Sequence, residues 1–186
     1  MPSFKISLST LLIIPLVLAD PSGGLLATLI SALLHELGHL STTALLGIGV
    51  QGICVTPYGL EITAKRRYGS FFEEITVISS GCFINLITFI SLSRLGGRFS
   101  DIAYSSLVLG ILNALPIIGL DGGEAMRSAL SRILSYRTAE KLSLIISFIT
   151  LLFTWSLSAY IFMFSGYNYS LFIMCIWLFL RTFCPK

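Results

Sequence analysis

Two histidines are spaced so that both can bind a single metal ion. His35 and His39 are the only histidines among the 186 residues, and Glu36 lies between them in the segment His35-Glu36-Leu37-Gly38-His39. Residues four apart share a face of an α-helix, so imidazoles at this spacing can converge on one Zn²⁺. Glu36 lies about a third of a turn away, where it can take a proton from a zinc-bound water. The pattern predicts metal-assisted hydrolysis, with both histidines as ligands and Glu36 as the catalytic base.

The composition excludes an ordinary soluble domain. Hydrophobic residues make up 55% of the chain and charged residues 11%, and the mean hydropathy is +0.90. Soluble domains carry roughly 25% charged residues, so lipid must cover much of this surface. The net charge of +3 gives no reason to expect a nucleic-acid partner.

The distribution of apolar residues predicts an all-α polytopic membrane protein with about six transmembrane helices. A span needs roughly 20 apolar residues. The first candidate segment resembles a signal peptide, but Ala19-Asp20-Pro21 is a poor cleavage site, so we expect an uncleaved helix. The six predicted spans cover residues 4–20, 24–47, 74–95, 101–117, 141–164 and 168–184.

Two shorter elements are predicted between the spans. Residues 48–64 contain β-forming residues around Thr56-Pro57-Tyr58-Gly59, which predicts a short membrane-associated β-hairpin. Residues 121–137 have the pattern of a partly amphipathic helix. We expect one membrane-embedded domain over residues 1–186, with a zinc-binding core at about 25–130, further spans at about 141–184, and no PDZ or CBS domain.

The basic residues predict the orientation in the membrane. With the N-terminus inside and six spans, ten of the twelve lysines and arginines lie inside and two, Arg94 and Arg98, lie outside. Cytoplasmic loops carry such an excess of positive charge. We therefore predict an integral multi-pass protein of the cell membrane with both termini in the cytoplasm.

A third zinc ligand is needed, because catalytic zinc sites usually have three protein ligands and an open position. Without another histidine, the ligand must be a carboxylate or a thiolate. Asp121 and Glu124 are the best placed acids, and the glycines after Asp121 allow a close approach of the backbone. Asp121 is also suited to cap the following helix. The four cysteines lack paired spacing and are expected to be reduced packing residues.

Three segments together resemble the site-2 protease family of intramembrane zinc metalloproteases (peptidase family M50). The first is the His-Glu-x-x-His segment at 35–39. The second, Asn113-Ala114-Leu115-Pro116-Ile117-Ile118-Gly119-Leu120-Asp121-Gly122-Gly123, is similar to the family's Asn-x-x-Pro-x-x-x-x-Asp-Gly motif. The third, residues 80–85, resembles its Gly-Pro-x-x-Asn element, with Cys82 in place of the proline.

The resemblance implies a role for individual residues. It makes His35, His39 and Asp121 the ligands of one Zn²⁺ per chain and Glu36 the general base. It also places Asn85 and Asn113 near the substrate channel, where they would bind substrate. For the two asparagines, hydrogen bonding between helices is an equally good interpretation.

The function implied is hydrolysis of peptide bonds in transmembrane or membrane-associated protein substrates within the lipid bilayer. The hairpin would add a strand to an unwound substrate. The alternative is a non-proteolytic membrane protein that binds metal or transports an ion. The chain is similar to the compact bacterial or archaeal members of the family. The substrate, its cleavage site and the oligomeric state are left open.

Overall fold

Helices account for most of the described chain. A computed structural model describes residues 3–6, 19–20, 22–56, 59–64, 68–165 and 169–183. The chain divides into two compact units, Met1–Asn113 and Ala114–Lys186. In these residues the strands are β1 (Ser3–Ile6), β2 (Val50–Thr56) and β3 (Gly59–Ala64), and the helices are α1 (Gly24–Leu45), α2 (Phe71–Leu92), α3 (Gly97–Asn113), α4 (Asp121–Ile133), α5 (Tyr136–Ser165) and α6 (Tyr169–Phe183).

The surface of the helices is that of a membrane protein. Among the described residues, α1, α2 and α5 are long and apolar enough to cross a membrane. Phe83, Ile90 and Phe153 are more than 60% exposed, whereas Asn85 is completely buried. This reverses the distribution in a soluble protein, since apolar side chains face outward and the polar group is enclosed. Five predicted spans are confirmed as helices, while the total of six crossings stays a prediction.

The N-terminal unit packs α1, α2 and α3 against one another. Gly38 of α1 lies against α2 so closely that a Cβ there would be 2.8 Å from the carbonyl oxygen of Ser80. Where α1 contacts α3, the buried hydroxyl of Ser106 on α3 donates to Oγ of Ser31 on α1 over 3.0 Å. Small residues and hydroxyl bonds of this kind hold helices together where lipid removes the hydrophobic driving force.

The N-terminal unit also contains a three-stranded sheet in the order β1-β2-β3. Strands β2 and β3 pair antiparallel within the segment predicted as a hairpin, whose turn residues 57–58 lie outside the described residues. Strand β1 pairs parallel with β2, Phe4 opposite Ile53. The prediction of a helix from residue 4 is therefore wrong for residues 4–6, because their backbone completes the sheet. Residues 7–18 of that predicted span are outside the described residues.

A carboxylate marks the start of α1. Gly23 has a positive φ of 71°, and the side chain of Asp20 accepts hydrogen bonds from the Ser22 backbone N–H (3.0 Å), the Ser22 hydroxyl (2.6 Å) and the Leu25 N–H (2.7 Å). The Ser22 hydroxyl, followed by the Leu25 N–H, lowers the pKa of Asp20 from its ordinary value. A negative charge at this position also complements the helix dipole.

In the C-terminal unit, α5 packs against both α4 and α6. Its core is formed by Ile117, Leu151, Cys175 and Leu178. The amphipathic helix predicted for residues 121–137 ends earlier, at Ile133. Helix α4 ends there because Ser135 is the N-cap of the next helix, with its Oγ 3.4 Å from the Thr138 backbone nitrogen.

Candidate metal centre

The imidazole rings of His35 and His39 converge on one point. Both lie on the uninterrupted helix α1, and their Nε2 atoms are 3.2 Å apart. Zinc–nitrogen bonds of about 2.0–2.1 Å in tetrahedral geometry separate two ligand nitrogens by roughly 3.3 Å. The rings meet edge to face with centroids 4.8 Å apart. The pair therefore has the separation that two ligands of one zinc ion require.

Helix α2 fixes the orientation of His39. The Nδ1 atom of His39 lies 2.8 Å from the carbonyl oxygen of Val77. Because a carbonyl can only accept, Nδ1 is the donor of this bond, and Nε2 is the ring nitrogen that faces His35. The Ser80 hydroxyl donates to the same carbonyl over 2.6 Å. Zinc-bound histidines commonly make such a bond through their second ring nitrogen.

The same helix contacts the other ring through Asn85. The side chain of Asn85 is completely buried, and its Nδ2 lies 3.1 Å from Nδ1 of His35. Asn85 thus makes the hydrogen bond between helices that was one of its two predicted roles. Its other predicted role, substrate binding, stays a prediction.

Gly81 leaves room beside the two rings. A Cβ at this position would lie 2.5 Å from Nε2 of His39 and 2.7 Å from Nε2 of His35, both distances too short for a real contact. Val77, Gly81 and Asn85 are the buried residues of α2, and their spacing of four places them along one face. This face supplies a carbonyl, an open space and an amide to the histidines, and the arrangement fits a metal ion.

Cys82 also lies beside this centre. Its Sγ is within 4.8 Å of a ring nitrogen of His35, and the residue is a thiol without a disulfide partner. The sequence analysis expected the cysteines to be packing residues, while leaving a thiolate open as the third ligand. No signal in their spacing indicated that one of them adjoins a histidine.

The remaining predicted site residues occupy helix positions consistent with the sequence analysis. Glu36 lies on α1, partly exposed, directly after His35. Asn113 is the last residue of α3, and its Nδ2 donates to the Leu109 carbonyl of its own helix over 3.2 Å. Asp121 is the first residue of α4 in the C-terminal unit. The roles predicted for these three residues stay predictions.

The segment that leads to Asp121 is held firmly within the C-terminal unit. The Ile118 N–H donates to the Ser147 hydroxyl over 3.0 Å, and the Thr182 hydroxyl donates to the Ile118 carbonyl over 3.1 Å. A Cβ at Gly123 would collide with the Ile117 carbonyl, so only glycine allows α4 to pack this closely on the segment.

Two comparisons found known proteins that are similar to this chain. Residues 93–157 match the family model for Peptidase family M50. The structure is similar to that of the "Site-2 Protease from Methanocaldococcus jannaschii", with a TM-score of 0.65 and 20% sequence identity, over 96% of this chain and 88% of that chain. At this identity the structural similarity establishes a shared fold. No curated protein matches the chain.

The two comparisons cover different parts of the site-2 protease pattern. The family match includes Asn113 and Asp121 but begins after the histidine pair. The structural match extends over nearly the whole chain. Sequence reasoning missed Val77 because it acts through its backbone carbonyl, which leaves no mark on residue type. Gly81 belongs to the segment that resembles the Gly-Pro-x-x-Asn element, but the sequence does not reveal that it lies against the two histidine rings.

Proposed function

We propose that this chain is an intramembrane zinc metalloprotease that cuts membrane-associated proteins. One observation carries the proposal: the Nε2 atoms of His35 and His39 lie 3.2 Å apart on a helix that is long and apolar enough to cross a membrane. Ionisable groups at such a depth are costly and usually functional. The match to Peptidase family M50 supports the same activity.

In this proposal His35, His39 and Asp121 bind one Zn²⁺ per chain. Zinc held there would polarise the scissile carbonyl and make a water more acidic. The Val77 carbonyl orients the His39 ring, so this ligand loses little freedom on binding. Asp121 provides the carboxylate, and support for it comes from its place in the Asn-x-x-Pro-x-x-x-x-Asp-Gly segment.

Glu36 is the proposed general base. It directly follows His35, one of the proposed ligands, about a third of a turn further round the same helix. It would take a proton from the attacking water and later deliver one to the leaving amine, a role worth typically 10²–10⁴-fold in rate. Such a base is needed for hydrolysis and has no use in simple ion binding.

A groove lies near the histidine pair, on the side of Ser80. It has a volume of about 330 Å³ and reaches Ser80, whose Oγ is 3.4 Å from Nδ1 of His39. Four hydroxyl side chains line it together with apolar residues: Thr42, Thr76, Ser79 and Ser80. We propose that water reaches the site along these hydroxyls.

The substrate in this proposal is a locally unwound membrane segment. In an intact helix the carbonyl is hydrogen-bonded to the N–H four residues later and is poorly accessible to attack. Strand β3 lies at one edge of the sheet and contacts α1. An extended substrate strand can pair with such an edge.

The experiment measures zinc content and cleavage together in purified full-length protein. The substrates are tagged single-span proteins with a central Gly-Pro that unwinds the span. We expect about one zinc per chain and cleavage for the unaltered protein. Glu36→Gln should keep zinc and lose at least about 100-fold in rate, whereas the control Glu74→Gln, at the start of α2, should keep both.

The outcomes separate the candidate functions. Zinc retained after substitution of both His35 and His39 by alanine would contradict the metal assignment. Zinc bound by the unaltered protein without cleavage of any substrate would favour the metal-binding or ion-transport alternative. Cleavage by Glu36→Gln at the normal rate would remove the general-base role.

A further inference from the structure

We propose that a groove between α5 and α6 binds an acyl chain of one anionic phospholipid, whose headgroup phosphate contacts Arg137 and Lys141. Every residue involved belongs to the C-terminal unit, and the proposal does not depend on the zinc site. The lipid belongs to the leaflet at the N-terminal end of α5. In the predicted orientation this is the cytoplasmic leaflet, which carries anionic lipids.

The groove is lined by hydrophobic side chains alone. Its volume is about 330 Å³, within the range of about 300–1,000 Å³ typical of small-molecule pockets. Leu151 and Cys175 form its floor and are 4% and 1% exposed, whereas Leu152 and Leu180 belong to its walls and are half exposed. Ordered water needs polar partners, and this lining offers none. The groove therefore fits hydrocarbon.

The groove runs along the two helices. Helices α5 and α6 are antiparallel, because Phe148 contacts Phe183 with ring centroids 5.7 Å apart and Trp155 contacts Phe172 with centroids 5.8 Å apart. The groove residues Phe148 and Trp155 are seven positions apart on α5, or about 10 Å along its axis. Since α5 is long and apolar enough to cross a membrane, the groove lies roughly parallel to the acyl chains of the bilayer.

Two basic residues continue the same face of α5 beyond the groove. Lys141 precedes Phe148 by seven residues, and Arg137 precedes Lys141 by four, so the three share one helix face. Both basic residues are exposed. Glu140 is exposed too, but it is rotated about 100° from Lys141. The positive end of the α5 dipole lies at the same end, so this face is suited to a phosphate.

The spacing of these features matches one lipid leaflet. Lys141 and Trp155 are fourteen residues apart, which is about 21 Å along the helix. Half of a bilayer, with its headgroup region, is about 20–22 Å thick. A lipid with its phosphate at Lys141 thus extends one chain through the groove to Trp155. Arg181 is not assigned to the headgroup, because its guanidinium stacks over Trp177, which does not line the groove.

Tryptophan fluorescence reports on the groove directly. The chain has two tryptophans, and Trp177→Phe leaves only Trp155. We would place this full-length parent variant in phosphatidylcholine bilayers with increasing fractions of phosphatidylglycerol or phosphatidylcholine that carries brominated chains, which quench tryptophan on contact. Trp155 is 43% exposed, so any neighbouring lipid quenches it to some extent. The measured quantity is therefore the ratio of the two binding constants.

We expect the anionic lipid to bind at least about tenfold more tightly, since each basic residue near a membrane surface contributes about fivefold. Arg137→Gln combined with Lys141→Gln leaves the groove intact and should bring the ratio to within about twofold of one. The control combines Arg94→Gln with Arg98→Gln. It removes the same charge from exposed residues of the N-terminal unit and should keep the parent's ratio to within about twofold.

Each result bears on the proposal. Equal binding of the two lipids by the parent would overturn it, as would a Trp155 that neither lipid quenches, the result expected if a second copy or another protein covers the groove. Selectivity retained without Arg137 and Lys141, or lost in the control, would overturn the headgroup assignment. If Trp177→Phe does not fold, native mass spectrometry of the unaltered protein decides. Preferential retention of one phosphatidylglycerol supports the proposal, and equal retention of both lipids contradicts it.

Discussion

The space beside Gly81 gives the sharpest prediction from this structure. In Gly81→Ala, the new Cβ would lie 2.5 Å from Nε2 of His39 and 2.7 Å from Nε2 of His35, whereas ordinary contacts begin at 3.4 Å. The rings or α2 must therefore give way by roughly 0.7–0.9 Å in total. Zinc sites hold their ligand distances to about 0.2 Å. We expect zinc affinity to fall at least about 100-fold, with cleavage lost in parallel.

The fold should survive this substitution. Overpacking by one methyl group costs about 1–3 kcal/mol, and replacing glycine by alanine within a helix returns up to about 1 kcal/mol. Gly24→Ala is the matched control, because it lies on the helix that carries both histidines and its Cβ meets only the Ser22 hydroxyl, at 3.3 Å. Chelator competition measures zinc affinity, and thermal unfolding checks the fold. Zinc affinity of Gly81→Ala within threefold of the control would refute the reasoning.

Three further predictions concern other parts of the chain. Asp121→Asn should weaken zinc binding and abolish cleavage, because a neutral amide is a poor zinc ligand. Glu124→Gln, which loses an ion pair with Arg127, should retain both zinc and cleavage, and the reverse result in a zinc assay would exclude Asp121 as the third ligand. Cysteines introduced within 65–67 and 127–137 should react with a membrane-impermeant reagent only from the cytoplasmic side, and labelling from outside intact cells would contradict the orientation. The pKa of Asp20 is lowered in the folded protein, so its carboxylate stabilises the fold at pH values above its ordinary pKa, and this stabilisation is lost as pH falls through the lower folded value. Asp20→Asn should therefore flatten the acid limb of a plot of stability against pH, measured by circular dichroism, and an acid limb identical to that of the unaltered protein would exclude this contribution.

The helices and the histidine pair were predictable because their signals are local. Apolar runs of about twenty residues and a spacing of four both follow from helix geometry. The helices α1 and α2 begin and end within three residues of the predicted spans. The predicted neighbours His35 and His39 do converge, as a shared helix face requires.

Contacts between distant segments were not predictable in the same way. Strand β1 consists of four residues whose pattern resembles the start of an apolar helix, and it is stabilised by backbone bonds to β2, some fifty residues away in sequence. The early end of α4 depends on the Ser135 cap of the next helix, which competes with continued amphipathic periodicity. In both cases the competing structure is stabilised by partners that local pattern does not reveal.

The histidine pair on α1 depends on α2 for its orientation. Along antiparallel helices, His39 meets the Val77 carbonyl and His35 meets Asn85, with the missing side chain of Gly81 between them. Three residues of α2, spaced by four, thus face the two histidines of α1, which are also spaced by four. A shift of α2 by one residue would turn all three away by about 100°. Close packing at Gly38 against the Ser80 carbonyl opposes such a shift, so the glycine inside the His-Glu-x-x-His segment sets the register on which the metal geometry depends.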